Sequence, residues 1–143
     1  MEFELEWVDP SLLICRLSGV ATVEGGKAVR RAVLSEPQFR SGVGMVIDET
    51  NLDVSTLTAA DIEQVAEIRA QFAHVPAVRS AVVVGPHSPT RYGLARMFEA
   101  YTESQENTEV EVFKTLDEAM AWINERDSRT PTEASPPSRK DIL

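Results

Sequence analysis

The chain has few of the residues that cross-link a fold through disulfides or bind a metal ion. Its 143 residues include one cysteine and two histidines. One cysteine cannot form an intramolecular disulfide, and His74 and His87 stand at no spacing typical of a metal site. No apolar run approaches the ~18 residues that a membrane-spanning helix requires. We therefore expect no disulfide framework, no membrane span, and no metal or other cofactor.

Positive charge is also scarce. Fourteen Lys and Arg residues stand against 23 Asp and Glu residues, which gives a net charge of −9. Such a balance disfavours binding to nucleic acid or to anionic lipid. The first residues, MEFELEWVDP, are acidic where a secretory signal would be basic. We expect a cytoplasmic protein that does not bind nucleic acid.

The composition changes near the end of the chain. Residues 1–126 have the length and apolar content of one globular domain. Residues 127–143, DSRTPTEASPPSRKDIL, contain three prolines and almost no large apolar side chains. Such a segment buries too little surface to offset the entropy of ordering, so the sequence predicts a disordered tail.

Apolar runs and alternation predict five strands. Phe3, Leu5 and Trp7 alternate with glutamates, and Leu12 to Leu17 follows a tight turn, so these two segments predict an antiparallel hairpin with Cys15 buried. The bulky runs at 45–47 and 78–84 predict interior strands of a parallel sheet. Residues 109–113 predict an edge strand.

Four capping signals predict four helices. Thr22 and Ser88 are N-cap residues, and capping boxes join Thr58 to Asp61 and Thr115 to Glu118. Two apolar stripes should face the sheet. The stripe of the second helix is Ile62, Val65, Ile68, Phe72 and Val75, and that of the third is Leu94, Met97, Phe98 and Tyr101. The element order predicts an α/β fold, a small mixed, mostly parallel five-stranded sheet with four helices.

Two segments resemble the SpoIIAA-like proteins, which are relatives of the STAS domains of anti-sigma-factor antagonists. They are MVIDETNLDVSTLTAADI, and VVVGPHSPTRYGLARMFEAYTE followed by EVEVFKTLDEAMAWI. Within the second, residues 92–97 match the family's helix pattern in order. The resemblance covers about residues 3 to 124 and implies a five-stranded α/β sheet with helices laid along it.

The regulated members of that group carry a phosphorylation signature, namely an Asp, a Ser, a Ser or Thr, and a Gly at the helix after the central strand. Aligned from Asp48, this chain has Leu57 and Thr58 at the hydroxyl positions and Ala59 in place of the glycine. The signature is therefore absent. The hydroxyls at Ser55, Thr56 and Thr58 remain candidates for modification, although loop and N-cap roles account for them.

Parallel sheets carry their functional loops at the carboxyl ends of the strands. The candidate binding surface therefore consists of Asp48, the loop through Thr58, His87 and Arg91. Helix N-termini at this surface could hold an anion weakly. Asp48 and Glu49 should point to opposite faces of their strand, which argues against a cooperating acid pair. With no nucleophile beside a base either, we expect no enzyme and no catalytic residue.

The third helix offers a further candidate. Tyr92 and Arg96 lie four residues apart on one flank, and Gly93 with Met97 would allow close approach of a neighbour. Core packing is the ordinary explanation for its apolar stripe, and the alternatives are an apolar pocket or a docking surface rimmed by Arg91 and Arg96.

Two functions fit these patterns. The first is a non-catalytic STAS-like regulatory module that binds a protein partner and takes part in partner-switching signalling. The alternative is a carrier or sensor of a small apolar or amphipathic ligand, which requires an enclosed volume beside Tyr92 and Met97. The oligomeric state is not readable from the sequence.

Overall fold

The computed structural model describes residues 1–70, 78–105 and 108–127. The predicted continuation of the second helix through Phe72 and Val75, the position of His74, and the tail from residue 128 onward lie outside the described residues.

Five strands form one sheet within the described ranges, in the order β1-β2-β3-β4-β5. They are β1 (Glu2–Asp9), β2 (Leu12–Val20), β3 (Gly44–Asp53), β4 (Val78–Val83) and β5 (Thr108–Phe113). The first pair is antiparallel and the other three pairs are parallel. The predicted mixed, mostly parallel sheet is confirmed.

The described part of the chain contains the four predicted helices, α1 (Val23–Leu34), α2 (Ala59–Ala70), α3 (Pro89–Thr102) and α4 (Leu116–Asp127). Each begins at its predicted cap. Thr22 Oγ1 accepts a hydrogen bond from Gly25 N at 2.9 Å, and Ser88 Oγ accepts one from Arg91 N at 3.2 Å. The Thr58–Asp61 and Thr115–Glu118 capping boxes form as well.

Among the described helices, α4 alone covers one face of the sheet. Ala119 and Ile123 pack on Ile14, Val46 and Ala81 of the three central strands. The approach is close at Gly44, where a Cβ atom would lie 3.0 Å from Ile123 Cγ2. This side of the sheet is therefore tightly packed.

The other face lies beneath three helices. Val33 of α1 packs on Leu13 and Met45, and Ala95 of α3 packs on Val82 and Val84. Helix α2 lies differently, since its extensive contacts are with α1 and α3. It thus bridges its two neighbours above the sheet.

The predicted buried stripe of α3 is wrong in part. Ala95 is buried, but Met97 is 36% exposed and Tyr101 is 40% exposed. A Cβ atom at Gly93 would have nothing within 4 Å, so the expected close approach to a neighbour is also absent from the described structure. The helix is rotated so that Leu94, Ala95 and Phe98 face inward.

Two glycine substitutions test this packing. We expect Gly44→Ala to lower the free energy of unfolding by about 1–2 kcal/mol, because the new methyl group crowds Ile123. Gly93→Ala should instead raise it by roughly 0.5–1 kcal/mol, since alanine fits an open helical position. Urea denaturation measures both, and equal effects of the two changes would contradict the packing described above.

Candidate functional site

The predicted strand-end residues differ in their surroundings. Asp48 turns back on its own strand, where Oδ1 accepts hydrogen bonds from Thr50 N at 3.0 Å and Thr50 Oγ1 at 2.6 Å. His87 is exposed in the loop between β4 and α3. No group of three His, Cys, Asp or Glu side chains within the described residues could hold a metal ion.

The three candidate hydroxyls lie in the exposed loop between β3 and α2. The Ser55 backbone N–H donates to Asp53 Oδ1 at 2.9 Å, which closes a local turn. Thr58 Oγ1 accepts from Asp61 N at 3.2 Å at the start of α2. Thr56 is exposed between them, so all three hydroxyls are accessible to a modifying protein.

Arg91 is turned inward and joins α3 to the ends of two strands. Its Nε donates to Val84 O at 2.7 Å, and Nη1 donates to Leu52 O at 3.3 Å. Gly85 makes room for this guanidinium, because a Cβ atom there would lie 3.3 Å from Arg91 Nη2 and its φ of +85° suits glycine. The side chain therefore positions α3 on the sheet.

The outward half of α3, by which we mean Tyr92, Arg96, Met97 and Tyr101, faces away from the core. Tyr92 is 37% exposed, and the centre of its ring lies 5.6 Å from Lys114 Nζ. Arg96 pairs with Glu99 at 3.5 Å and is otherwise in solvent. This surface combines aromatic rings, a methionine and cationic groups.

A cavity of about 140 Å³ lies between the sheet and the three helices on the side opposite α4. Its floor includes Cys15, Ile47 and Val82 of the central strands. Val29 of α1 and Phe98 of α3 form its sides. The alternative hypothesis placed an enclosed volume beside Tyr92 and Met97, but the cavity lies on the opposite, inward side of α3.

The position of α2 explains why this space exists. Ile62, Val65 and Ile68 line the cavity from above. Two polar contacts hold the helix there, from Arg69 Nη2 to Ser80 Oγ of β4 at 3.0 Å and from Gln105 Nε2 to Ala66 O at 2.8 Å. Because α2 packs on α1 and α3, its apolar side chains cover the cavity from above and do not fill the space next to the sheet.

Glu49 brings a carboxylate to this apolar space. The β2–β3 register shifts between Arg16 opposite Asp48 and Ser18 opposite Asn51, so that Glu49 and Thr50 together face Leu17. Such a bulge re-aims side chains and changes the alternation of the strand. Ile47 lines the cavity before the bulge, Glu49 lines it at the bulge, and Leu52 lines it after the bulge.

The surroundings of Glu49 favour its neutral form. Burial raises its pKa from the ordinary 4.5 to about 7, Arg91 acts in the opposite direction, and Asp48 adds to the rise. Burial and the Glu49 charge also raise the pKa of the Cys15 thiol to about 12. Cys15 is therefore a neutral core residue, as the sequence indicated.

No family model matches the chain, and no curated protein matches it. The anti-sigma factor antagonist SpoIIAA in its unphosphorylated form is similar in structure, with a TM-score of 0.50 and 18% identity over 87% of this chain and 97% of that one.

The chain has a SpoIIAA-like, STAS-type fold. A structure of the phosphorylated Bacillus SpoIIAA gives a TM-score of 0.46 and 15% identity over 85% of this chain and 99% of that one. At these identities the similarity concerns the fold alone. No helix in the described ranges combines the length and apolarity needed to cross a bilayer.

Sequence reasoning did not select Glu49 as a site residue. The expectation that Asp48 and Glu49 face opposite sides of their strand agrees with the cavity lining, which includes Glu49 but not Asp48. That expectation argued against an acid pair but did not point to a site. Glu49 follows Met45 and Ile47 at steps of two, and this spacing puts a carboxylate in line with buried apolar side chains. This spacing can be read from the sequence, but the cavity that Glu49 faces depends on how α2 packs on α1 and α3.

The pKa of Glu49 predicts a pH dependence of stability. The folded state holds this proton more tightly than the unfolded chain, so stability should fall as pH rises from about 4.5 and level off above about 7. The loss amounts to roughly 3 kcal/mol, and Glu49→Gln should remove it. Urea denaturation between pH 5 and 8 measures the difference between the two profiles.

The exposed Glu63 of α2 supplies the control, because Glu63→Gln should leave the wild-type profile in place. The charged and titratable groups around the Glu49 carboxyl are Asp48, Arg91, Cys15, Arg30 and Arg69. Parallel profiles for wild type and Glu49→Gln would show that Glu49 has no raised pKa.

Proposed function

We propose that this chain is a non-catalytic regulatory module that binds another protein through the outward half of α3. The exposure of Tyr92, Met97 and Tyr101 carries this proposal. Of the five large apolar side chains exposed in the described structure, these three lie on one helix, and the others are Val8 and Val20. Solvent-facing aromatic and methionine side chains along one helix are typical of protein interfaces, and because Tyr92 and Tyr101 lie on opposite flanks of α3, a partner would cover the width of the helix.

The charges on and beside the outward half of α3 suit a protein ligand. Arg96 lies within it and Lys114 stands beside Tyr92, although the chain as a whole carries a net charge of −9. Arginine and tyrosine dominate the binding energy of many interfaces. A partner that presents acidic groups around an apolar centre would match this surface.

The fold supports a partner of the anti-sigma class. The structural neighbour SpoIIAA is described as an anti-sigma factor antagonist, and we extend that role to this chain as part of the proposal. A hydroxyl in the β3–α2 loop would serve as the switch. Thr58 is the best placed of Ser55, Thr56 and Thr58, because a phosphate there would meet the N-terminus of α2, which packs directly on α3.

The cavity supports a second function, the binding of a small apolar molecule. A cavity of about 140 Å³ is close to the size of an apolar protein cavity, about 150 Å³, that takes up benzene. The lining is almost entirely aliphatic and aromatic, so an apolar guest would gain contacts and displace little bound water.

Replacement of the exposed rings tests the interaction module. We expect the double variant Tyr92→Ala, Tyr101→Ala to lose at least tenfold in partner capture, because apolar anchors at the centre of an interface dominate its affinity. Quantitative mass spectrometry of proteins retained from a lysate of the source cells measures this. Thr58→Glu should change the same captured set.

Val8→Ala with Val20→Ala is a matched control, since it removes two exposed apolar side chains from β1 and β2 instead. A captured set that is identical for wild type and the α3 double variant would refute the proposed surface. A loss of capture by the control pair would also refute it.

A cavity-filling variant tests the second function. Toluene should produce saturable shifts in the methyl NMR signals of residues around the cavity in the wild-type protein. Ala95→Leu should abolish them, because Ala95 lines the cavity and the added carbons occupy its volume. Ala100→Leu adds the same volume on the exposed side of α3 and should bind toluene normally. Absence of saturable shifts in the wild type would dispose of this function.

A further inference from the structure

Four polar side chains line the cavity in the described structure, Thr22, Arg30, Glu49 and Arg69. Any guest with a polar group must place that group against one of them. Arg69 donates to Ser80 Oγ at 3.0 Å, and both arginines take part in further interactions of the fold. Glu49 differs in its charge, since it is the one acidic side chain that lines the cavity in the described structure, and Arg91 and Asp48 are the charges that act on it.

The backbone aims this carboxylate at the cavity. Glu49 is on the β3 bulge, where two residues face one residue of β2, and the β3–β4 pairing ends just before it with Asp48 opposite Val83. The side chain thus stands where β3 leaves its neighbour, among the apolar residues of the cavity floor. A carboxylate held in such surroundings has strong demand for a hydrogen-bond donor.

The size of the cavity limits the guest. A volume of about 140 Å³ accommodates a single ring or a branched chain of about six to eight heavy atoms. A long fatty chain does not fit that volume. The guest is therefore compact, with one polar group at the Glu49 end.

We infer that the cavity takes a compact apolar molecule bearing an amino group, whose N–H donors bind the Glu49 carboxylate. This inference rests on the second function proposed above and adds the chemistry of the head group. Charge-assisted hydrogen bonds from an ammonium group satisfy the carboxylate, while the ring or chain fills the aliphatic space. An anionic guest would instead meet repulsion at Glu49 and would have to bind through Arg30 or Arg69.

Three matched ligands test the inference on the full-length protein at pH 8, namely toluene, benzylamine and benzoate. Methyl NMR titration gives the affinity of each. Benzylamine should bind about tenfold more tightly than toluene to the wild type. Glu49→Gln should bring the affinity for benzylamine down to that for toluene, and Glu63→Gln should keep the difference.

The possible outcomes distinguish a failure of the amino-group inference from a failure of the cavity function. If toluene binds but benzylamine binds no more tightly, or if its advantage survives Glu49→Gln, the amino-group inference is overturned while the cavity function remains. Tighter binding of benzoate than of benzylamine would also overturn it, because the guanidinium groups would then select the guest. If no ligand binds, the cavity function fails and the inference fails with it.

Discussion

The burial of β3 on both faces is the constraint on which the rest of the structure depends. Val46 packs beneath α4 on one face, and Met45 packs beneath α1 on the other. The two covers differ in kind. Helix α4 lies so close that a Cβ atom at position 44 would crowd Ile123, whereas the three helices of the other face span the sheet without filling the space above β3.

That difference in packing gives the molecule two candidate sites with one helix in common. Helix α3 turns Leu94, Ala95 and Phe98 toward the cavity and leaves Tyr92, Met97 and Tyr101 in solvent. Arg91 holds this orientation through its bonds to Leu52 O and Val84 O. A ligand in the cavity and a protein on the outer surface would therefore contact the same helix, α3. Such a shared helix is a physical basis for coupling between the two binding events.

The order of the elements could be predicted because the signals for it are local. Capping boxes, the Pro89 start of α3 and the alternation in β1 depend on neighbours within a few residues. The rotation of α3 could not be predicted in the same way. Its apolar residues span more than half of its circumference, so the pattern fits two orientations, and the Arg91 bonds to two distant strands select one of them.

The sequence by itself determined the strands, the helices, their caps and the mixed sheet, because each is specified by short-range periodicity and hydrogen bonding. Only the tertiary structure decided that Glu49 faces an apolar cavity and that Tyr92, Met97 and Tyr101 face solvent. The first result follows from a bulge in the β2–β3 register and from α2 resting on its neighbouring helices, and the second follows from the bonds that Arg91 makes to Leu52 O and Val84 O. These are relations between segments far apart in the chain, and no local pattern of residues encodes them.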